Sequence, residues 1–137
     1  MSTKIYASGV IFEDDGEILV LRRHAKGREG DTWGLVGGNI EPGEDKLDAA
    51  IREVDEEIGH NIRPSELEFL KTYRWDRDDF DITFEVFKYK IHRNEVNIDL
   101  DTDENVDHMW AQPKDLITQP DLMRGLYPIL EDEYINK

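Results

Sequence analysis

Apolar and polar positions alternate along much of this chain with the two-residue period of β-strands. Runs rich in β-branched and aromatic residues predict strands at 6–12, 17–23, 67–75, 82–91 and 106–111, and a short strand at 33–36 that ends at Gly37 and Gly38. The turn residues Asp14-Asp15-Gly16 predict a hairpin between the first two strands. A second turn is expected in the acidic stretch 76–81, and a polar loop is expected at 24–31.

A helical period appears in two further segments. Residues 44–58 follow Pro42-Gly43 and precede Gly59, which predicts a helix from Glu44 to Ile58. The face predicted to pack on the core contains Leu47, Ala50, Ile51, Val54 and Ile58. A closing helix is predicted at 119–134, with Gly125 and Pro128 as weak points. Because strands and helices do not alternate regularly, we expect a mixed sheet with helices packed against it.

Composition narrows the class of protein. A length of 137 residues with 38% hydrophobic positions suits one compact domain spanning residues 1–137. No run approaches the roughly 18 apolar residues of a membrane span, and no signal peptide is recognisable. The formal net charge of −15 disfavours nucleic-acid polymers and anionic lipid as partners. Without cysteine, disulfides and thiolate metal sites are excluded, and a cytoplasmic location is expected.

Three glutamates share the polar face of the helix predicted at 44–58. Glu53 lies three and four residues before Glu56 and Glu57, so their side chains can converge. Like charges at these spacings cost a few tenths of a kcal/mol per pair in an exposed helix. Either the side chains spread into water, as in many acidic helices, or a hard cation such as Mg²⁺ neutralises them. The helix alone favours the solvated interpretation.

The residues around these glutamates resemble the Nudix box, a sequence motif of the Nudix hydrolase family. The matching positions are Gly38, Glu44, Arg52, Glu53, Val54, Glu56, Glu57 and Gly59. His60 stands where the family has an aliphatic residue, and Val36 stands where proline commonly precedes the two glycines. The resemblance extends from about Lys4 to Leu130. It implies an α/β fold in which a mixed sheet is sandwiched between helices, and Mg²⁺-dependent hydrolysis of a diphosphate linkage, with Mn²⁺ able to substitute.

The resemblance also implies roles for individual residues. Glu56 and Glu57 are the predicted principal metal ligands, joined by the Gly37 carbonyl and by Glu104 in a late loop. Glu53 is the predicted general base and a further metal ligand, although Glu56 and Glu104 are also candidates for the base because the family is not uniform. Arg52 is expected to hold a carboxylate in place through charge-assisted hydrogen bonds. Glu44 is expected either to be structural or to contact a metal ligand without contacting the metal.

Basic and aromatic residues are candidates for substrate contacts. The basic cluster is formed by Arg22, Arg23, His24, Lys26 and Arg28. These residues either form a solvated loop or contact the phosphates of a substrate. Similarity to the MutT-type members implies that Arg23 is the residue that contacts phosphate. Trp33, Trp75 and Tyr73 either stack on a nucleobase or belong to the core. His92 and His108 are expected to be ordinary strand residues, since no histidine-based metal spacing or nucleophilic triad is present.

The box identifies the bond that is broken but not the substrate. A chain of this length resembles the MutT-type enzymes, which cleave a nucleoside triphosphate to a monophosphate and pyrophosphate. A proline beyond the box marks ADP-ribose hydrolases and a tyrosine marks dinucleoside polyphosphate hydrolases; the region here is Trp75-Asp76-Arg77-Asp78, with Tyr73 nearby. Those substrates and nucleotide sugars remain alternatives, as does a non-catalytic sensing module, although such modules usually have eroded boxes. An acidic Ca²⁺-binding protein is a third alternative, but the sequence contains no EF-hand loop pattern to support it. A homodimer is possible.

Overall fold

The computed structural model describes residues 3–26 and 30–137, in which seven strands form one mixed sheet. The strands are β1 (Thr3–Asp14), β2 (Glu17–Arg23), β3 (Trp33–Gly34), β4 (Val36–Asn39), β5 (Glu68–Arg77), β6 (Phe80–Lys90) and β7 (Asn105–Ala111). The order is β3-β2-β1-β6-β5, while β4 pairs with β1 and β7 pairs with β2. Strands β1 and β6 are parallel, and the other pairs are antiparallel.

Two hydrophobic layers cover the two faces of this sheet. On β1, Val10 and Phe12 belong to the layer that contains the helix residues Val54 and Ile58, whereas Ile11 belongs to the opposite layer. Strand β2 alternates in the same way. Because successive side chains point to opposite faces of a strand, each central strand contributes to both layers. The predicted α/β fold, with a mixed sheet between helices, is confirmed.

Helix α1 (Lys46–Ile58) begins two residues later than predicted, because Asp45 is its N-cap. The Asp45 carboxylate accepts a hydrogen bond from the Leu47 N–H, which satisfies one of the unpaired donors of the first turn. The helix ends at Gly59, which has φ of 70° and donates its N–H to the Asp55 carbonyl at 2.9 Å. The end of α1 was therefore predicted correctly.

The closing helix predicted at 119–134 is confirmed only in its second part, where α3 (Leu126–Leu130) is followed directly by a π-helical turn (Glu131–Ile135). The first part of the prediction, from residue 119 to residue 125, was wrong, and a separate short helix, α2 (Pro113–Leu116), precedes it. Residues 121–123 run along β3, since the Trp33 N–H donates to the Asp121 carbonyl at 2.8 Å and the Met123 N–H donates to the Trp33 carbonyl at 2.9 Å. These tertiary hydrogen bonds replace the helical ones. Pro128 lies in the first turn of α3, where its missing N–H is not needed.

The short strand predicted at 33–36 was also wrong in its bounds. Strand β3 ends at Gly34, and a separate strand, β4, begins at Val36 and extends through Gly37 and Gly38 to Asn39. A Cβ atom at Gly37 would lie 2.2 Å from the Ser8 carbonyl oxygen, so glycine permits the close pairing of β4 with β1.

Shorter elements complete the fold. Strands β5 and β6 meet at a turn containing Asp78, which has φ of 53°. Single 3₁₀ turns are present at Pro64–Glu66 and Arg93–Glu95. Among the helices in the described ranges, none is long and apolar enough to cross a membrane.

Candidate functional site

The C-terminal half of α1 lies against β4, and the glutamates predicted as metal ligands are found at this contact. Glu57 has 3% exposure although it is a carboxylate. The Gly37 N–H donates to its Oε1 at 2.6 Å, and the Asn105 side-chain amide donates to its Oε2 at 3.0 Å. Burial raises the pKa of Glu57 to about 7, against the lowering effect of these two hydrogen bonds. The fold thus holds this carboxylate in one orientation at a desolvated position.

Glu53 lies one helical turn before Glu57 and borders Gly38. A Cβ atom at Gly38 would lie 2.4 Å from Glu53 Oε2, so the missing side chain is what leaves room for this carboxylate. Its other oxygen accepts a hydrogen bond from Arg52 at 3.0 Å. Burial raises the pKa of Glu53, and the charges of Glu56 and Glu104 add to this effect. Glu53 is therefore close to the other predicted ligands.

Arg52 links several carboxylates at the base of this cluster. Its guanidinium donates two hydrogen bonds to Glu44, at 2.8 and 2.9 Å, and holds the pKa of Glu44 at about 2. It also donates to Glu53 at 3.0 Å, to Glu56 at 3.1 Å and to the Asn39 carbonyl at 2.9 Å. Those contacts raise the pKa of Arg52, with Glu44 contributing most. One arginine therefore connects α1 to the loop before it and to the end of β4.

The remaining predicted ligands are exposed. Glu56 has 55% side-chain exposure, and Glu104 lies in the turn that precedes β7. The Glu104 carbonyl accepts a hydrogen bond from the His24 N–H at 2.8 Å, which ties this turn to the end of β2. Within residues 3–26 and 30–137, no three acidic or histidine side chains already stand in a metal-coordinating arrangement.

The donor set nevertheless fits a hard divalent cation. Every candidate side-chain donor is a carboxylate oxygen, which Mg²⁺ prefers. Because Gly38 has no side chain, the Glu53 carboxylate can lie directly against the backbone of β4. At Gly37, the group in contact with Glu57 is the N–H. The use of its carbonyl as a ligand stays a prediction.

A cavity of about 180 Å³ adjoins the glutamates on the other side of β4. Its lining includes Gly37 and Gly38, which also contact Glu57 and Glu53. The rest of the wall is mainly apolar and contains the rings of Trp75 and Phe84, with Leu35, Met123, Leu126 and Ile129. Gly125 packs against Trp75, where a Cβ atom would lie 3.1 Å from the indole. The cavity and the glutamate cluster therefore meet along a backbone without side chains.

Comparison with known proteins identifies the family. The model of the NUDIX domain matches residues 3–132, which is most of the chain. The chain belongs to the NUDIX family. Membership confirms the prediction from the box, including the class of enzyme, a hydrolase of phosphoric anhydride bonds.

Curated relatives include two proteins that match over most of their length and one that matches over a small part of it. The CTP pyrophosphohydrolase of Escherichia coli (strain K12) is 27% identical over 121 residues, covering 88% of this chain and 84% of the relative. The 8-oxo-dGTP diphosphatase of Proteus vulgaris is 32% identical over 90 residues, covering 66% and 79%. A nucleoside triphosphate pyrophosphatase/Nudix hydrolase fusion protein of Bifidobacterium longum (strain NCC 2705) is 31% identical over 99 residues, but the match spans only 20% of its length.

Solved structures show the same Nudix fold. The MutT protein from Methanosarcina mazei Go1 superposes with a TM-score of 0.83 at 20% identity, covering 96% of this chain and 93% of that one. The MutT NUDIX hydrolase from Burkholderia pseudomallei gives 0.83 at 22% identity, covering 96% and 99%. At these identities the likeness concerns the fold.

The basic cluster of this Nudix chain does not form one patch. Arg23 lines the cavity, and its charge lowers the pKa of Glu57. Arg22 does not line the cavity; it donates to Asp121 at 2.7 Å, and its guanidinium carbon lies 5.4 Å from the Trp33 ring centroid. Lys26 is exposed, and its N–H donates to His24 Nδ1 at 3.2 Å. Arg28 lies outside the described residues. Among the described members of the cluster, Arg23 is the one that lines the cavity next to the candidate site.

Of the three aromatic residues considered for stacking, only Trp75 lines the cavity. Tyr73 is buried behind it, with ring centroids 6.0 Å apart, and its hydroxyl donates to Asp132 at 2.9 Å. Phe84, which the sequence did not single out, forms part of the wall.

Asn105 was also missed in the sequence. It directly follows Glu104, and only its burial and its partner reveal that it belongs to the site.

Proposed function

We propose that this Nudix protein hydrolyses a nucleoside triphosphate to a nucleoside monophosphate and pyrophosphate. The observation that carries the proposal is the junction between an aromatic-lined cavity and the glutamate cluster along Gly37 and Gly38. A nucleoside in the cavity would direct its phosphates toward the carboxylates. Two curated relatives that match over most of their length are named for CTP and 8-oxo-dGTP, both nucleoside triphosphates, which supports this substrate class.

We propose that Mg²⁺, with Mn²⁺ as a substitute, is held by Glu53, Glu56, Glu57, Glu104 and the Gly37 carbonyl. When bound, a divalent cation neutralises phosphate oxygens and acidifies a coordinated water. It also allows a chain with a formal charge of −15 to accept an anionic substrate.

The chain's own residues would then handle the proton and the phosphates. Glu53 is the proposed general base, because its half-buried carboxylate has the higher proton affinity that an acceptor of the water proton needs. Arg52 keeps that carboxylate in place by donating a hydrogen bond to it at 3.0 Å. Arg23, at the cavity wall, is the proposed contact for substrate phosphate.

The cavity wall favours recognition of a base by stacking. Trp75 and Phe84 both line the cavity, and their ring centroids lie 6.1 Å apart with an interplanar angle of 35°. The two tilted rings offer adjoining aromatic surfaces for a base. Base–aromatic stacking contributes about 1–3 kcal/mol per base. The hydroxyl of Tyr73 is already bound to Asp132, and the residue does not line the cavity, which weakens the dinucleoside polyphosphate alternative.

A substrate panel tests the proposal. Nucleoside triphosphates, ADP-ribose, nucleotide sugars and dinucleoside polyphosphates are incubated with Mg²⁺ or Mn²⁺, and the products are separated by ion-exchange chromatography. We expect turnover of nucleoside triphosphates with equal amounts of monophosphate and pyrophosphate. Release of orthophosphate, or preference for another class by tenfold in kcat/KM, would contradict the proposed reaction. An absence of metal-dependent turnover on every substrate would contradict catalysis altogether.

A further inference from the structure

Asn105 is the first residue of β7, and its side chain is directed into the layer that contains α1. It has 1% exposure, and its amide donates to Glu57 Oε2 at 3.0 Å. The Gly37 N–H binds the other oxygen of the same carboxylate. Glu57 is thus held at both oxygens by two donors from separate strands, β4 and β7.

An irregularity in the sheet produces this contact. Strands β2 and β7 pair regularly as far as Arg22 with Asp107, but the next pair is Arg23 with Asn105, so that Val106 has no partner in the register. In an uninterrupted ladder Val106 would oppose Arg23, and Asn105 would point to the other face. Val106 is instead half exposed, while Asn105 is buried. The bulge therefore turns Asn105 toward α1.

The chemistry of an amide suits a partner for a metal ligand. A carboxylate has about four lone-pair sites, and the two hydrogen bonds occupy one on each oxygen. Lone pairs for a cation remain on both. A lysine or arginine in place of Asn105 would neutralise Glu57 and compete with a cation, whereas the neutral amide orients the carboxylate and leaves its charge intact.

We propose that Asn105 is a positioning residue that fixes Glu57 for metal binding, and that the β7 bulge exists to supply it. The inference rests on the proposed function, because it takes Glu57 as a metal ligand. Asn105 would thus be a residue on which the metal site depends although it lies outside the Nudix box. Partners of this kind typically change metal affinity by about 10–100-fold when they are replaced.

The test measures Mn²⁺ binding by the protein alone, without nucleotide, from the electron paramagnetic resonance signal of free Mn²⁺. Asn105→Leu keeps the shape of the side chain and removes the donor. We expect it to weaken Mn²⁺ binding by about 10–100-fold. In turnover assays its lost kcat should recover in part at high Mn²⁺, with KM for nucleotide little changed. A loss of packing alone would not produce that recovery.

Ser8→Ala is the matched control. Ser8 is fully buried, and its hydroxyl donates to the Lys46 carbonyl at 2.9 Å, so it fastens the opposite end of α1 without touching a predicted ligand. We expect Ser8→Ala to lower thermal stability and to leave Mn²⁺ affinity within twofold. Equal losses of affinity in the two variants would show a general effect of loosening α1 and would overturn the inference.

Asn105→Ser covers the case in which Asn105→Leu fails to fold. Its hydroxyl is too short to reach Glu57 directly but remains polar, and we expect weaker binding of Mn²⁺ by at least about threefold. Folded variants with wild-type affinity would overturn the role of Asn105 while leaving the proposed function in place. A wild-type protein that hydrolyses nucleotides without binding Mn²⁺ at this site would overturn both the metal assignment and this inference.

Discussion

The two faces of the sheet are built in different ways. One is covered by α1, a capped helix of 13 residues whose carboxylates are fixed by Arg52, Gly37 and Asn105. The other is covered by short pieces, namely residues 121–123 along β3, the five-residue α3 and a π-helical turn. The glutamate cluster lies on the first face and the cavity on the second. A rigid helix suits groups that break a bond common to many substrates, whereas irregular segments allow the cavity wall to vary.

The largest effect is expected from Glu53, the proposed general base on the α1 face. Glu53→Gln should lower kcat by about 10²–10⁴-fold, because the attacking water loses its proton acceptor. Circular dichroism should show an unchanged fold. Asp55→Asn, an exposed change on the same helix, is the control and should retain activity. If Glu53→Gln stays active, the base is Glu56 or Glu104.

The buried carboxylate on the same face should make stability depend on pH. Its folded pKa of about 7 lies above the ordinary value of 4.5, so the folded state binds the proton more tightly. Without metal, the free energy of unfolding should therefore fall as pH rises from about 4.5 to 7, by on the order of 3 kcal/mol from Glu57. Urea denaturation in EDTA at pH 5 and pH 8 measures this change.

Glu57→Gln is the matched variant for that measurement, since it cannot ionise. We expect its metal-free stability to lose the part of the pH dependence that Glu57 contributes. Mg²⁺ should stabilise the wild type more at pH 8 than at pH 5, because ligation requires the ionised form. Identical pH profiles for the two proteins would contradict the raised pKa of Glu57.

Gly38 lies at the boundary between the two faces. In Gly38→Ala the new Cβ would meet Glu53 Oε2 at 2.4 Å and displace it. A misplacement of about 1 Å can lower activity by about 10²-fold, and we expect a loss of that size in kcat. KM should change less, because the cavity wall keeps its aromatic rings. A larger change in KM than in kcat would show that the glycine serves the cavity instead.

The smallest effect is expected on the cavity face. Trp75→Leu removes aromatic surface and should raise KM for a nucleoside triphosphate about tenfold, in keeping with the loss of one stacking contact. The Mn²⁺ affinity of the free protein should not change. Tyr73→Phe, which alters a buried ring that does not line the cavity, is the control and should leave KM unchanged. An equal effect from both would argue against stacking on Trp75.

The difference between the two faces of the sheet also explains which elements could be predicted from the sequence. Helix α1 follows local rules: an apolar period, an acidic cap residue and a terminal glycine. Its bounds were predicted to within two residues. The first part of the predicted closing helix was wrong because residues 121–123 obtain their hydrogen bonds from β3, which is remote in sequence. Local propensity carries no information about such partners.

Within the candidate site, the box residues could be recognised because their spacing is fixed along one helix. Asn105 could not, since its position depends on a bulge between two strands that are far apart in the chain. The continuation of β4 through Gly37 and Gly38 was missed for a related reason. Two glycines normally signal the end of a strand, but here Gly37 permits the close approach of Ser8 and Gly38 permits that of Glu53.

The parallel pairing of β1 with β6 has a consequence for how the protein folds. Residues 3–13 pair with residues 80–90, so the centre of the sheet closes only after most of the chain is available. Contacts of such large sequence separation slow folding, because the intervening chain must be ordered first. During synthesis α1 and the strands on which it packs, β1 and β4, are made first, whereas β6, which adds Phe87 and Tyr89 to the same core layer, is made later. We expect this protein to fold slowly for its size and to be most prone to aggregation while β6 is still being made.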